Sequence, residues 1–382
     1  MLKIKDCVMR KMLFARSLFW ILMIIPVMNY GQWNFSVSTF QTYADNPFRS
    51  VNPEADFIST VDVGIEKEWE KANLLYYGSY TNFMNAASQN YYWHQLGVYF
   101  PGEKSILGAY FEQRINKTEV DYFDYANIAG YFRYNFLFSS VNLTFNSSLN
   151  FMSYSNLPEY NNWVGTLGLK AIKSYRTKTT LIGTLIFNYK GFKNFTTPDS
   201  SDYEKGRGGH GKWNPAEDAN ISQIVFNGRA AQSIFENTGL ALNFQYKKIL
   251  SGSGFSASLF ESTYGDMELY DDPISQQGYS IGGMLTQILP WEITFRANYI
   301  YFYKDYPSQG IYYSETEFDE SKSRLDYQNY FSASMKKTIY FGGESETSLD
   351  INLLYNYINN SSNSYFYNYK KNAVSLNLML NF

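Results

Sequence analysis

The chain has 382 residues, with 32 Lys and Arg against 35 Asp and Glu, and its net charge of -3 gives no footing for nucleic acid. Aromatics make up 19% of it, with 36 Tyr and 30 Phe. Beyond the N-terminal segment no run of ~18 apolar residues occurs, which excludes a transmembrane helix.

Lys3, Lys5, Arg10, Lys11 and Arg16 form a basic start, and residues 18–27 follow as an apolar run. That run falls within the ~7–15 residues of a signal-peptide core and short of the ~20 that a spanning anchor, the alternative reading, needs. Residues 1–31 therefore read as a cleaved signal peptide, with Gln32 as the mature start. The sole cysteine, Cys7, precedes the apolar run, so lipidation is not expected and the mature chain has no thiol chemistry. Residues 32–382 read as one domain with no separate plug ahead of the first strand, expected at 33–43.

From there the chain alternates. Val141, Leu143, Phe145, Leu149 and Phe151 oppose Asn142, Thr144, Asn146, Ser148 and Asn150. Leu240, Leu242, Phe244 and Tyr246 oppose Ala241, Asn243, Gln245 and Lys247. Trp291, Ile293, Phe295, Ala297 and Tyr299 oppose Glu292, Thr294, Arg296 and Asn298, and Leu349, Ile351, Leu353 and Tyr355 form a similar face. The clearest case is the last: Val374, Leu376, Leu378, Leu380 and Phe382 on one side, Ala373, Ser375, Asn377, Met379 and Asn381 on the other. A period of two means strands, and a helix would need apolar spacings of three and four. Lipid on one face and water or polar side chains on the other is what a membrane barrel requires. Tyr76, Tyr77, Tyr91, Tyr92, Trp93, Tyr189, Trp291 and Tyr367 cluster toward strand ends, as aromatic girdles do.

Connections alternate in length. Short ones are expected near 67–71, 101–104, 137–140, 174–178, 289–291 and 341–345. Long polar ones are expected near 44–55, 83–90, 116–124, 156–161, 192–219, 264–276, 304–323 and 358–368. In bacterial barrels the short turns face the periplasm and the long loops the exterior. The segments number about seventeen, but both termini on the periplasmic side require an even count. The surplus lies in residues 221–264, where three candidate strands crowd together; sixteen strands are expected, with fourteen and eighteen as neighbours.

Few residues suggest chemistry. The glycine-rich run Lys205-Gly206-Arg207-Gly208-Gly209-His210-Gly211-Lys212 lacks the spacing and the Ser or Thr of a phosphate loop. His94 sits among aromatics in a strand expected at 91–100 and reads as a girdle or lumen residue, with catalysis as the alternative. No spacing of His, Cys and carboxylates suggests a metal site, and no cofactor is expected. Asp266, Glu268, Asp271 and Asp272, then Glu315, Glu317, Asp319 and Glu320, read as solvated loops, with weak divalent-ion binding as the alternative. Alternation places Arg114, Arg133, Lys170, Lys190, Lys247 and Arg296 inside, offset by Glu112, Glu292 and Asp350, a mixture that marks a polar lumen rather than a basic ladder.

The stretch Tyr43-Ala44-Asp45-Asn46-Pro47-Phe48-Arg49 with Ala55-Asp56-Phe57-Ile58 resembles the start of outer-membrane barrels found beside exopolysaccharide loci. The closing residues, Tyr355-Asn356-Tyr357 through Phe382, resemble the last hairpin of the same broad group, which includes the C-terminal barrel of surface-lipoprotein assembly modifiers. The resemblance implies a barrel in the outer membrane and brings no catalytic residue with it. The terminal Val374, Leu376, Leu378, Leu380 and Phe382 also resemble the signal such barrels present to the barrel-assembly machinery.

The expected fold is an all-β, closed up-and-down antiparallel transmembrane β-barrel in the outer membrane, in contact with outer-membrane lipids and lipopolysaccharide. Three functions fit it. The first is a porin-like channel for a polar solute or glycan. The second is a non-transporting surface or assembly barrel that docks a secreted or periplasmic protein. The third is an outer-membrane hydrolase built around His94. The first two are not enzymes.

Overall fold

The computed structural model describes residues 32–138, 140–192, 220–252, 272–341 and 347–382. The expected signal peptide, His210 with its glycine-rich run, and Asp266, Glu268 and Asp271 lie outside the described residues. The first half of the wall is made by β1 (Gln32–Ala44), β2 (Asp56–Glu68), β3 (Asn73–Phe83), β4 (Tyr91–Pro101), β5 (Ser105–Asn116), β6 (Tyr125–Leu137), β7 (Asn142–Tyr154) and β8 (Asn162–Ser174). The second half is β9 (Thr179–Phe192), β10 (Ile221–Phe235), β11 (Thr238–Ser251), β12 (Gln277–Leu289), β13 (Ile293–Tyr306), β16 (Arg324–Tyr340), β17 (Ser348–Ser362) and β18 (Tyr369–Asn381). A two-stranded hairpin, β14 (Ile311–Tyr312) and β15 (Phe318–Asp319), stands apart in the loop between β13 and β16.

These sixteen wall strands pair antiparallel with their neighbours in sequence and close β1 onto β18. In lipid every backbone N–H and C=O must be satisfied within the protein, and closure does this without leaving an edge. The crowded zone resolves into β10 and β11, joined by a turn at 236–237, and the rest of it, 253–264, lies outside the described residues. The closing seam runs from Ser36 opposite Asn381 to Ala44 opposite Ala373. Phe35 and Phe382 extend it by exchanging backbone hydrogen bonds of 2.9 and 3.0 Å, with their rings stacked at 5.8 Å.

The two faces of the wall sort as the alternation requires. On β18, Val374, Leu376, Leu380 and Phe382 are exposed to the outside, while Ala373 and Ser375 are buried inside. Exposed Leu, Ile, Val and Phe recur around the whole exterior, including Val61, Leu96, Leu107, Ile128, Leu149, Leu167, Leu185, Leu242, Ile281 and Leu353. A soluble protein would not leave such a continuous apolar surface uncovered. A bilayer covers it. Tyrosines edge its extracellular side, with ring contacts between Tyr80 and Tyr92 at 4.7 Å, Tyr279 and Tyr303 at 5.4 Å, and Tyr303 and Tyr327 at 5.5 Å. The periplasmic side is edged by Trp33, Phe100, Phe136, Trp291 and Phe382.

One strand starts later than its alternation suggests. Pro290–Glu292 form a single 3-10 turn in which Trp291 and Glu292 take left-handed φ values of 60° and 59°. Two such residues in succession break the pleat, so β13 begins at Ile293. Glu292 accordingly leaves the inner face and lies in the periplasmic turn, where it accepts from Lys337 Nζ at 3.4 Å.

Candidate solute pathway through the lumen

Cross-strand register identifies the inner face all the way round. Asn, Ser and Thr dominate it on β7 (Asn142, Thr144, Asn146, Ser148, Asn150), and similar runs recur on β17 and β18. Side chains of neighbouring strands hydrogen-bond along it, as between Thr42 and Ser375 at 2.9 Å, Thr60 and Thr81 at 3.0 Å, and Thr166 and Asn188 at 3.0 Å.

The charges on this face form two tiers. At the extracellular end they are buried and matched. Arg324 is 1% exposed and Asp326 0%. They form a two-point ion pair, and the guanidinium also donates to Gln309 at 2.9 Å and lies 4.0 Å from the Tyr306 ring and 3.3 Å from the Tyr367 ring. Lys190, expected inside, contacts Asp272 at 3.1 Å, and both are buried. Residues 272–276 fold as a strap over the inner face of β9, β10 and β11. Gln223 fixes the strap by donating to the carbonyls of Pro273, Ile274 and Gln276 at 2.9, 3.2 and 2.7 Å. Lys247 reaches the Pro273 carbonyl at 3.5 Å. Arg114 is buried beside the Tyr91 ring at 4.1 Å and donates to Asn116 at 3.0 Å.

Lower down, the charges are more open. Arg133 donates to Asn146 at 3.1 Å and Arg229 to Asn243 at 3.3 Å. Lys170 stands between Thr144 and Thr184, and Arg296 between Thr286 and Ser334. Facing them on β2, Asp62 accepts from Ser38 at 2.8 Å, Glu66 from Tyr99 at 2.8 Å and Glu68 from Asn34 at 3.2 Å. Asp350 pairs with Lys336 at 3.0 Å, while Glu112 lies higher on the wall, accepting from Tyr125 at 2.6 Å. Asp62, Glu66, Glu68 and Arg229 are additions to the residues singled out from sequence. The signal for the β2 acids was available, since Val61, Val63 and Ile65 alternate with them, but the inward Ile58 and outward Ser59 blur the pattern at the strand's start.

His94 is not a lumen residue. It pairs across the strands with Gly78 and Gln113 on the outer face, near the extracellular edge of the bilayer. Its Nδ1 lies 2.9 Å from the Tyr76 hydroxyl, and this arrangement supplies neither a carboxylate to orient the ring nor a serine nucleophile. In the loops Tyr312 is consumed by packing against Phe318 and Phe366, while Tyr313 stays exposed with Lys322 over its ring at 5.2 Å. Asp319 accepts from the Ser321 hydroxyl at 2.6 Å and backbone N–H at 2.9 Å, which holds its carboxyl below the usual range. Among the described residues no group of three or more His, Cys, Asp or Glu is placed to hold a metal ion.

A closed sixteen-stranded sheet with an apolar exterior and a polar interior defines an outer-membrane β-barrel. No protein-family model and no curated protein matches the chain. Solved structures with the same fold include OccAB1 of Acinetobacter baumannii, at TM-score 0.55 and 10% identity over 92% of this chain and 96% of that one. OccAB3 of the same organism aligns at 0.51 and 7% identity over 93% and 100%. The outer membrane protein OpdK of Pseudomonas aeruginosa aligns at 0.51 and 8% identity over 92% and 99%. At these identities the likeness is one of fold.

Proposed function

We propose that the protein is a porin-like channel that lets a small polar solute or glycan cross the outer membrane passively through its lumen. The observation that carries this reading is the inner face itself. Below the buried upper tier it is predominantly hydroxyl, amide and charge, with apolar side chains such as Leu75, Ile172, Ile182, Ile186 and Leu354 set among them, and water wets such a surface. A barrel of this strand number encloses room for water. The strap at 272–276 borders the path at its extracellular mouth. Lys170, Arg133 and Arg296 line the path, while Lys190 and Lys247 hold the strap.

Single-channel recording of the refolded mature chain in a planar bilayer tests this. Steady conductance, reduced by added oligosaccharide, is the expected result. A correctly folded barrel without current would overturn it. That outcome would favour docking of a protein partner on the extracellular caps, since two of these are ordered: Val120, Phe123, Tyr154, Leu157 and Tyr160 form one, and Tyr312, Phe318 and Phe366 belong to the other.

A further inference from the structure

Among the described residues, the open charges of the lower lumen apart from the Lys336–Asp350 pair are segregated by wall. The acids Asp62, Glu66 and Glu68 all project from β2. The bases Arg133, Lys170, Arg229 and Arg296 project from β6, β8, β10 and β13. From β2, eight steps round the ring of sixteen lead to β10, so the basic arc is centred on the wall diametrically opposite the acidic strand. The ion pairs found on the inner face, Lys336–Asp350, Arg324–Asp326 and Lys190–Asp272, join near neighbours and do not bridge the two walls. The other inward charges, Glu112, Arg114, Lys247, Lys304 and Lys371, sit toward the extracellular end. Evolution of a merely wettable lining would not need this separation, because scattered charges wet equally well.

We infer that the lower lumen selects dipolar solutes, small molecules carrying a cationic and an anionic group on one frame, which pass with the positive end toward β2 and the negative end toward β6–β13. The inference rests on the channel reading. Opposite fixed charges on facing low-dielectric walls create a field across the lumen rather than along it. A zwitterion turned across the path is attracted at both ends. A simple ion is attracted to one wall and repelled by the other, and a neutral solute of the same size gains little. The field is felt within about 8 Å of either wall at physiological salt, and only ~3 Å at 1 M.

The test is uptake into liposomes holding the full mature barrel, comparing zwitterionic alanylalanine with the neutral N-acetylalanine methylamide. At low salt the dipeptide should enter roughly tenfold faster, at the lower end of electrostatic steering, and 1 M salt should erase the difference. The variant Asp62→Asn/Glu66→Gln/Glu68→Gln should lose the advantage and shift the reversal potential toward anion preference. Should that variant fail to fold, Arg229→Gln/Arg296→Gln probes the facing wall, with loss of the same advantage and a shift toward cations. Equal entry of the two solutes through a conducting wild-type barrel, or an advantage that survives the charge removal, overturns dipole selection while leaving the channel intact. A folded barrel that passes neither solute nor current removes both.

Discussion

The extracellular and periplasmic ends of the same inner face use charge in opposite ways. At the top, Arg324 and Asp326 are sealed between Tyr306 and Tyr367, and Lys190 is sealed against Asp272. Those groups have exchanged water for fixed partners and are part of the structure. Below, Glu66, Glu68 and Arg133 each make a single side-chain hydrogen bond, and Arg296 stands exposed between Thr286 and Ser334. Such groups contribute little to stability but remain available to a passing solute. Burial and pairing, rather than charge itself, therefore separate the residues that hold the barrel from those that would act on its cargo.

Breaking the upper tier should have the largest effect. Arg324→Met strands the buried Asp326 carboxylate, a loss of about 3–5 kcal/mol for one partner of a buried pair. Urea unfolding of the refolded barrel should show it. Asp326→Leu in the same chain should restore much of the loss, because no buried charge then remains. Equal stability of Arg324→Met and the wild type would mean that the site is hydrated and that the two tiers do not differ.

The strap comes next. Gln223→Ala removes an amide nitrogen whose two hydrogens are shared among three carbonyls, each of the two hydrogen bonds worth about 0.5–1.5 kcal/mol. The barrel should still fold, since the wall ladders are untouched. Its single-channel current should rise and become noisier as residues 272–276 come away from β10. Unchanged current would place the strap outside the path. At the seam, Phe382→Ala removes the ring stacked on Phe35, worth about 0.5–1.5 kcal/mol beyond area, and should slow refolding measured by heat-modifiable gel migration. A refolding rate equal to wild type would show that the backbone ladder alone closes the barrel.

Much of the fold was legible in the sequence because lipid enforces one rule on every strand. Leu240, Leu242 and Phe244 must alternate with Ala241, Asn243 and Gln245, and no tertiary contact can override that without exposing polar groups to hydrocarbon. The same rule assigned Arg133, Lys170 and Arg296 their face. It failed at Glu292, where two left-handed residues after Pro290 end the pleat that alternation alone extends. It was silent on which walls oppose each other, since that depends on the strand count and the ring rather than on any one strand. The inward charges read from sequence therefore looked like a mixture, and only the ring, with Asp62, Glu66, Glu68 and Arg229 added, sets the β2 acids opposite the bases centred on β10. The Lys190–Asp272 pair was equally hidden, because it joins a strand to a loop 82 residues away.

The smallest expected effect lies outside the wall, in the β14–β15 hairpin. Asp319 has its pKa lowered first by the Ser321 hydroxyl, then by the Ser321 N–H, with Tyr313 and Lys322 adding to it. A carboxyl depressed on folding contributes its stabilisation above the ordinary value of about 3.9, and that contribution fades as pH falls through the depressed one. Hydrogen exchange at Ser321 should therefore stay slow relative to its intrinsic rate at neutral pH and lose that protection only in strong acid. Asp319→Asn should remove the pH dependence. The melting temperature of the barrel should not follow the hairpin, since the exposed loop adds nothing to the closed ladder. A protection loss already complete at pH 6 would contradict the assignment to Asp319 and point to a different group in the loop.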